Sequence, residues 1–217
     1  AGGSGTIGAN FVAKAPSDGL TILMSATAEV VINQHFMQKM AYNPDVDLKP
    51  VTLLVKLPFV LVTNPSKPYS TAAELIAYAK KNPNTVTYAS SGPGTAQHLS
   101  AVMLEEQANI KLIHVPYKGS APAIVDTIGG TTQVMFPSLF SAYPQVAGGK
   151  LKALGIAGEK RSSVLPNVPT LKEQGIPNMN VTQWYALFAP AKTPKPIIDR
   201  LNKELNLTLN DKANEKK

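Results

Sequence analysis

The sequence contains no cysteine, which removes disulfides, thiolate zinc sites, iron–sulfur clusters and Cys nucleophiles at one stroke. Charge is sparse too. Only 16% of residues are charged and 6% aromatic, and no Lys/Arg block exceeds two residues, so the net charge of +7 is not a basic stripe interleaved with stacking rings. No nucleic-acid partner is expected. No run of about 18 apolar residues is present, and a transmembrane helix is therefore not predicted. Catalytic signatures are missing as well: there is no G-x-S-x-G elbow, no H-E-x-x-H and no Walker lysine after a glycine-rich loop. The three histidines, His35, His98 and His114, are not spaced as a metal pair. No catalytic residue, metal or cofactor is expected.

What remains is a chain of 217 residues that are 44% hydrophobic, enough for one large domain or two small ones with real cores. It opens on Gly3-Ser4-Gly5-Thr6-Ile7-Gly8, which satisfies the G-x-G-x-x-G pattern of dinucleotide folds. The context is wrong. No strand precedes it, and the strand that follows ends in Ser25-Ala26-Thr27 rather than an acidic residue. A plain turn into a helix over 7–14 is the preferred reading, with a nucleotide-binding α/β enzyme domain using the Gly3-Gly5-Gly8 loop as the alternative. Both ends read as cut from something longer.

Strands and helices alternate along the chain, predicting an α/β fold with mostly parallel sheets covered on both faces. Strands are predicted over 20–24, 85–89, 111–115, 132–136 and 151–157, and helices over 29–40, 95–107, 139–147 and 194–209. Thr71-Ala72-Ala73-Glu74 is a capping box that starts a helix ending before Pro83, and Ser120 is expected to cap the helix that Gly129-Gly130 stops. Two long β-runs, 51–63 with a central Pro58 and 181–189, bracket the middle of the chain. They suggest two crossover strands, with a first lobe of 1–62 plus 185–217 and a second, inserted lobe of 63–184. Folds of this kind bind small molecules at the carboxyl ends of parallel strands, in an interlobe cleft.

Ser90-Ser91-Gly92-Pro93-Gly94-Thr95-Ala96-Gln97-His98 follows a strand and opens a helix, which brings small residues, hydroxyls and uncovered N–H groups together. That is an anion site in outline, because a helix start suits a carboxylate or phosphate. The competing reading is an ordinary strand–helix turn whose serine caps the helix. Ser25-Ala26-Thr27-Ala28 is a weaker version of the same loop. His98, one turn into its helix, is weighed between packing and ligand contact; Lys118 reads as solvated and Trp184 as packing.

Several segments together resemble the solute-binding receptors of tripartite tricarboxylate transporters, the Bug receptors. The strings are Gly5-Thr6-Ile7-Gly8-Ala9, Ala15-Pro16-Ser17-Asp18-Gly19-Leu20-Thr21-Ile22-Leu23, Tyr88-Ala89-Ser90-Ser91-Gly92-Pro93-Gly94-Thr95-Ala96-Gln97-His98-Leu99, His114-Val115-Pro116-Tyr117-Lys118-Gly119-Ser120-Ala121-Pro122-Ala123, Leu165-Pro166-Asn167-Val168-Pro169-Thr170 and Trp184-Tyr185-Ala186-Leu187-Phe188-Ala189-Pro190. They run in order over essentially the whole chain. The resemblance implies a two-lobed Venus-flytrap receptor in the periplasm that is not an enzyme. It closes on a small organic carboxylate and delivers it to membrane transporter subunits. It assigns Ser25, Ala26, Thr27 and Ala28 to the first-lobe wall and Phe136, Pro137 and Ser138 to the second-lobe wall, and its carboxylate-holding loop coincides with the Ser90, Ser91, Gly92, Gly94 and Thr95 site read above, with His98 kept as a candidate contact. Many members carry Asp where this chain has Pro137, so a di- or tricarboxylate or an aromatic acid is expected before an amino acid. The family pattern also has a strand, a Gly-Pro-rich loop and a helix ahead of Gly5 and some tens of residues beyond Leu209, which this sequence lacks.

Overall fold

The computed structural model describes residues 3–211; Ala1, Gly2 and most of the polar run at the other end fall outside them. The chain divides into two compact units, Ala1–Lys56 with Trp184–Lys217, and Leu57–Gln183. The sequence pattern alone draws these boundaries at 62/63 and 184/185. The chain passes from one unit to the other inside two long strands, β2 (Leu48–Thr63) and β7 (Thr182–Pro190).

In the first unit, α1 (Thr6–Ala13) leads to β1 (Leu23–Ser25), which pairs antiparallel with β7, Leu23 opposite Phe188 and Ser25 opposite Ala186. A π-helical turn (Ala28–Ile32) runs into the short helix α2 (Asn33–Phe36), and α3 (Pro44–Asp47) precedes β2. The periodicity predicts a single helix over 29–40 here. Two local contacts work against it: the Tyr42 hydroxyl donates to the Glu29 carbonyl (2.6 Å), and Met37 is already extended (φ −90°, ψ 132°). Ala9, Val12, Val30, Tyr42 and Leu48 form one small core of this unit. A second core joins Val51, Leu187 and Ala189 to Ile198 of α8 (Lys195–Leu209).

The second unit holds α4 (Ala72–Lys81), β3 (Thr87–Ser90), α5 (Ala96–Ala108), β4 (Ile113–Pro116), α6 (Ser120–Ile128), β5 (Val134–Met135), α7 (Leu139–Ala147) and β6 (Lys152–Ala157). Its sheet is mixed. β3 is parallel to β4 and to β5, whereas the far half of β2 is antiparallel to both β5 and β6. Antiparallel pairing falls on β2 because it enters the sheet as a crossover strand, not through a strand–helix–strand unit. The run Phe59-Val60-Leu61-Val62 is wholly buried, as a strand covered on both faces must be. Phe59, Leu61, Tyr88, Val134 and Phe136 point to one layer with α4 and α5, and Val60, Val62, Ala89 and Met135 to the other with α6 and α7. Each layer follows from the period of two along the strands.

Thr71 caps α4 through Glu74 N–H (3.1 Å), and the Glu74 carboxylate accepts from Ser70 N–H (2.6 Å), one residue before the partner of a standard capping box. Ser120 is not a cap. It is the first residue of α6, Gly119 precedes it at φ 122°, and its hydroxyl accepts from Gln97 Nε2 instead (3.1 Å).

Candidate functional site

Three parallel strands of the second unit lie in the order β5-β3-β4, and each runs at its carboxyl end into the start of a helix: β3 into α5, β4 into α6, β5 into α7. From β3 the chain steps outward to β4, then returns across β3 to β5. The carboxyl end of β3 is therefore a point where the winding reverses, the place where open α/β sheets form a ligand crevice. Thr95 caps α5 and Ser138 caps α7, each through its hydroxyl.

The 90–95 loop is held from within. Ser90 is fully buried; its Oγ accepts from Gly92 N–H (3.1 Å) and lies 2.7 Å from His114 Nε2. Ser91 N–H donates to Gln97 Oε1 (2.8 Å), Gly94 N–H to His98 Nδ1 (3.1 Å), and Thr95 Oγ1 to the Gly92 carbonyl (2.7 Å). Gly92 (φ 135°) and Gly94 (φ 74°) occupy backbone conformations that other residues resist, which is how the chain turns so tightly here. The expectation of a row of uncovered N–H groups is thus corrected. Side chains of the loop and of α5 take those of Ser91, Gly92 and Gly94, and the Gly92 carbonyl takes that of Thr95 (3.4 Å).

Behind the loop three rings lie nearly parallel. The His98 and His114 centroids are 4.3 Å apart at 16°, and Tyr88 stacks on His114 at 4.8 Å and 13°. Burial holds both imidazoles below their ordinary range, with His114 pushed down to about 4 and His98 opposed in this by the Glu105 carboxylate. Burial also pushes the Tyr88 hydroxyl up to about 12. Sequence reasoning missed Gln97 and His114. Gln97 joins Ser91 of one loop to Ser120 at the start of α6, and His114 stands directly opposite Tyr88 in the β3–β4 register. No local sequence signal marks either residue, because each is defined by a partner on another element.

Pro137 and Ser138 are tied to β2: the Val60 N–H donates to the Pro137 carbonyl (3.0 Å), and Phe59 bridges Ser138. The Ser138 hydroxyl caps α7 by accepting from Ser141 N–H (3.4 Å) and exchanges a bond with Ser141 Oγ (3.2 Å). Lys118 is exposed, as expected for a solvated lysine.

A receptor-family model, described as the tripartite tricarboxylate transporter family receptor, matches residues 1–216. The chain belongs to that family. It is 40% identical over 207 residues to a protein from the tcbD–tcbE intergenic region of a Pseudomonas species, a match covering 95% of this chain and 61% of that protein. Among solved structures, Rpa4515 of R. palustris with adipate superposes with a TM-score of 0.95 at 31% identity, covering 98% of this chain and 71% of that one. MatC from Rhodopseudomonas palustris with bound malate gives 0.90 at 32%, covering 97% and 72%. The chain thus spans less than two thirds of the length of the curated relative it matches. The family is one of receptors, not enzymes.

Within the first unit, the 25–28 loop already holds a carboxylate of its own. Glu29 Oε2 accepts from Ala26 N–H (3.1 Å) and from the buried Ser25 hydroxyl (3.3 Å). Thr27 differs, since its buried Oγ1 has no hydrogen-bond partner among the described residues. Glu29 also lies against Gly5, where any Cβ would collide with it. That places negative charge beside the Gly3–Gly5 turn and works against a phosphate there, in agreement with the turn reading. Among the described residues no cluster of His, Asp and Glu suits a metal ion, and no helix is long and apolar enough to cross a membrane.

Proposed function

We propose that this chain is the ligand-capturing part of a periplasmic receptor that takes up a small organic carboxylate and presents it to the membrane subunits of a tripartite tricarboxylate-type transporter. The observation that carries this reading is the switch point at the end of β3, where three helix starts gather around a glycine-rich loop. Helix starts favour anions by about 0.3–2 kcal/mol from the dipole, and hydrogen bonds to a charged group add about 1.5–3 kcal/mol each. A few such contacts reach the roughly −8 kcal/mol of micromolar affinity without covalent chemistry. Relatives that hold adipate and malate support a dicarboxylate. Pro137 offers no charge for an amino group, which favours a plain acid over an amino acid.

The ligand contacts proposed in the second unit are Ser91, Thr95, Ala96, Gln97 and Ser138, with Gly92 and Gly94 shaping the turn and Ser90 and His98 holding their N–H groups from behind. In the first unit Ser25 and Ala26 are already engaged by Glu29. The test is a thermal-shift series with malate, adipate, citrate and benzoate against amines and sugars. Stabilisation by at least one carboxylate, abolished in Ser91→Asp by charge repulsion while the protein still unfolds cooperatively, is the expected result. Stabilisation by sugars or amines alone would overturn it.

A further inference from the structure

The Tyr88, His114 and His98 rings are not needed to build a strand–helix turn, yet two of them contact the loop through a ring nitrogen. His98 Nδ1 accepts Gly94 N–H at 3.1 Å, which fixes the ring as neutral with its proton on Nε2. Ser90 Oγ has one proton to share between the Gly92 carbonyl at 3.2 Å and His114 Nε2 at 2.7 Å, and it receives Gly92 N–H at 3.1 Å. Gly92 and Gly94, the two positive-φ residues of the turn, are therefore each fastened to a histidine, one directly and one through Ser90. The rings themselves touch at 4.3 Å.

We propose that His98 and His114 are positioning residues that set the 90–95 loop in its ligand-ready shape while neutral and release it when His98 takes up a proton. The proposal rests on the reading of this loop as the carboxylate site. A proton on His98 Nδ1 turns the acceptor into a donor facing the Gly94 N–H, so the bond is lost, and it puts a full charge 4.3 Å from the second imidazole. The titratable groups around the pair are Tyr88 on β3 and Glu105 on α5. Glu105 favours the charged ring and so partly offsets burial, while its own Oε1 is held by Leu112 N–H at 2.8 Å. Burial keeps both rings neutral at ordinary pH, so the release belongs to acid.

The experiment is an NMR titration of the full receptor from pH 7.5 to 4, following the Gly94 and Gly92 amides and both imidazoles, paired with malate affinity in His98→Ala and His98→Asn. The Gly94 amide is expected to move with the His98 ring, with a midpoint below 6.5. An asparagine side chain keeps an acceptor without a titration, so His98→Asn should hold the Gly94 amide still over the same range. His98→Ala should lose malate affinity about three- to tenfold at pH 7.5, with His98→Asn recovering most of it. Malate's own titration is common to every variant and cancels in the comparison. A Gly94 amide indifferent to the His98 ring, a wild-type pH profile in His98→Asn, or wild-type affinity tightening in acid would each overturn the proposal. If His98→Ala fails to fold, the amide titration in the unaltered protein and in His98→Asn still decides it. Because that titration needs no ligand, a Gly94 amide that follows His98 in a protein no carboxylate stabilises would overturn the proposed function and leave the positioning role standing.

Discussion

Gly155 sits in β6 with no room for a methyl group, since a Cβ there would lie 2.6 Å from Leu171 Cδ2 and 2.8 Å from Gln174 Nε2. Gln174 is not free to retreat: its Nε2 donates to the Leu154 carbonyl and its Oε1 accepts Ala72 N–H. Gly155→Ala is therefore expected to cost about 1–3 kcal/mol by overpacking, read as a lower urea midpoint with an unchanged slope. Gln97→Ala tests a different residue-scale claim. It removes the single side chain that joins Ser91 to Ser120, so carboxylate affinity should fall about tenfold or more while the urea midpoint moves less than in Gly155→Ala. Local signals carried part of this. Thr71 was legible as a cap because Glu74 stands three residues after it, whereas Ser120 had no such companion and proved to be the first helical residue behind Gly119. Gln97 was not legible, because nothing in its neighbourhood names a partner on another loop.

Elements were legible where period and punctuation agreed, as for α4 between Thr71 and Pro83 and for α7 over Leu139–Ala147. The 29–40 segment failed for a reason that lies outside it. Tyr42 takes the Glu29 carbonyl from a position beyond the end of the segment, while Glu29's carboxylate bends back to Ala26. Tyr42→Phe should accordingly cost about 0.5–1.5 kcal/mol in a denaturant melt, despite replacing only one hydroxyl on a ring that stays buried. Strand direction was hidden for the same kind of reason. Leu61 and Val62 read equally well in either orientation, and only the partners β5 and β6 decide it.

For the whole molecule the perturbed groups define a pH window. His114 is held at about 4 and His98 below 6.5, so the folded state binds fewer protons than the unfolded chain, and stability present above 6.5 is lost as pH falls toward 4. Glu173 is held at about 2 by Arg161 and by Thr170 N–H; its contribution is present above 4.5 and is lost as pH falls through 2. Burial raises Tyr42, Tyr69, Tyr88 and Tyr117 to about 12, so their contribution is present below 10 and is lost as pH climbs toward 12. Urea midpoints should be flat from about 6.5 to 10 and fall on both sides, with the first acid step smaller in His114→Phe. A plateau continuing unchanged to pH 4 would contradict the histidine assignment.

The two crossings in β2 and β7 also impose an order in time. Leu57–Gln183 is one continuous stretch, so everything its cores require is synthesised before most of the strand that completes the other unit. The first unit has no such independence, because Leu23 must wait for Phe188, and the cores around Leu48 and Val51 wait for Trp184, Leu187 and Ile198. Closing that long loop becomes cheap only once the residues between are already folded, which shortens the effective distance between the ends. Synthesis in chain order thus leaves β1 without its partner strand until Phe188 is made.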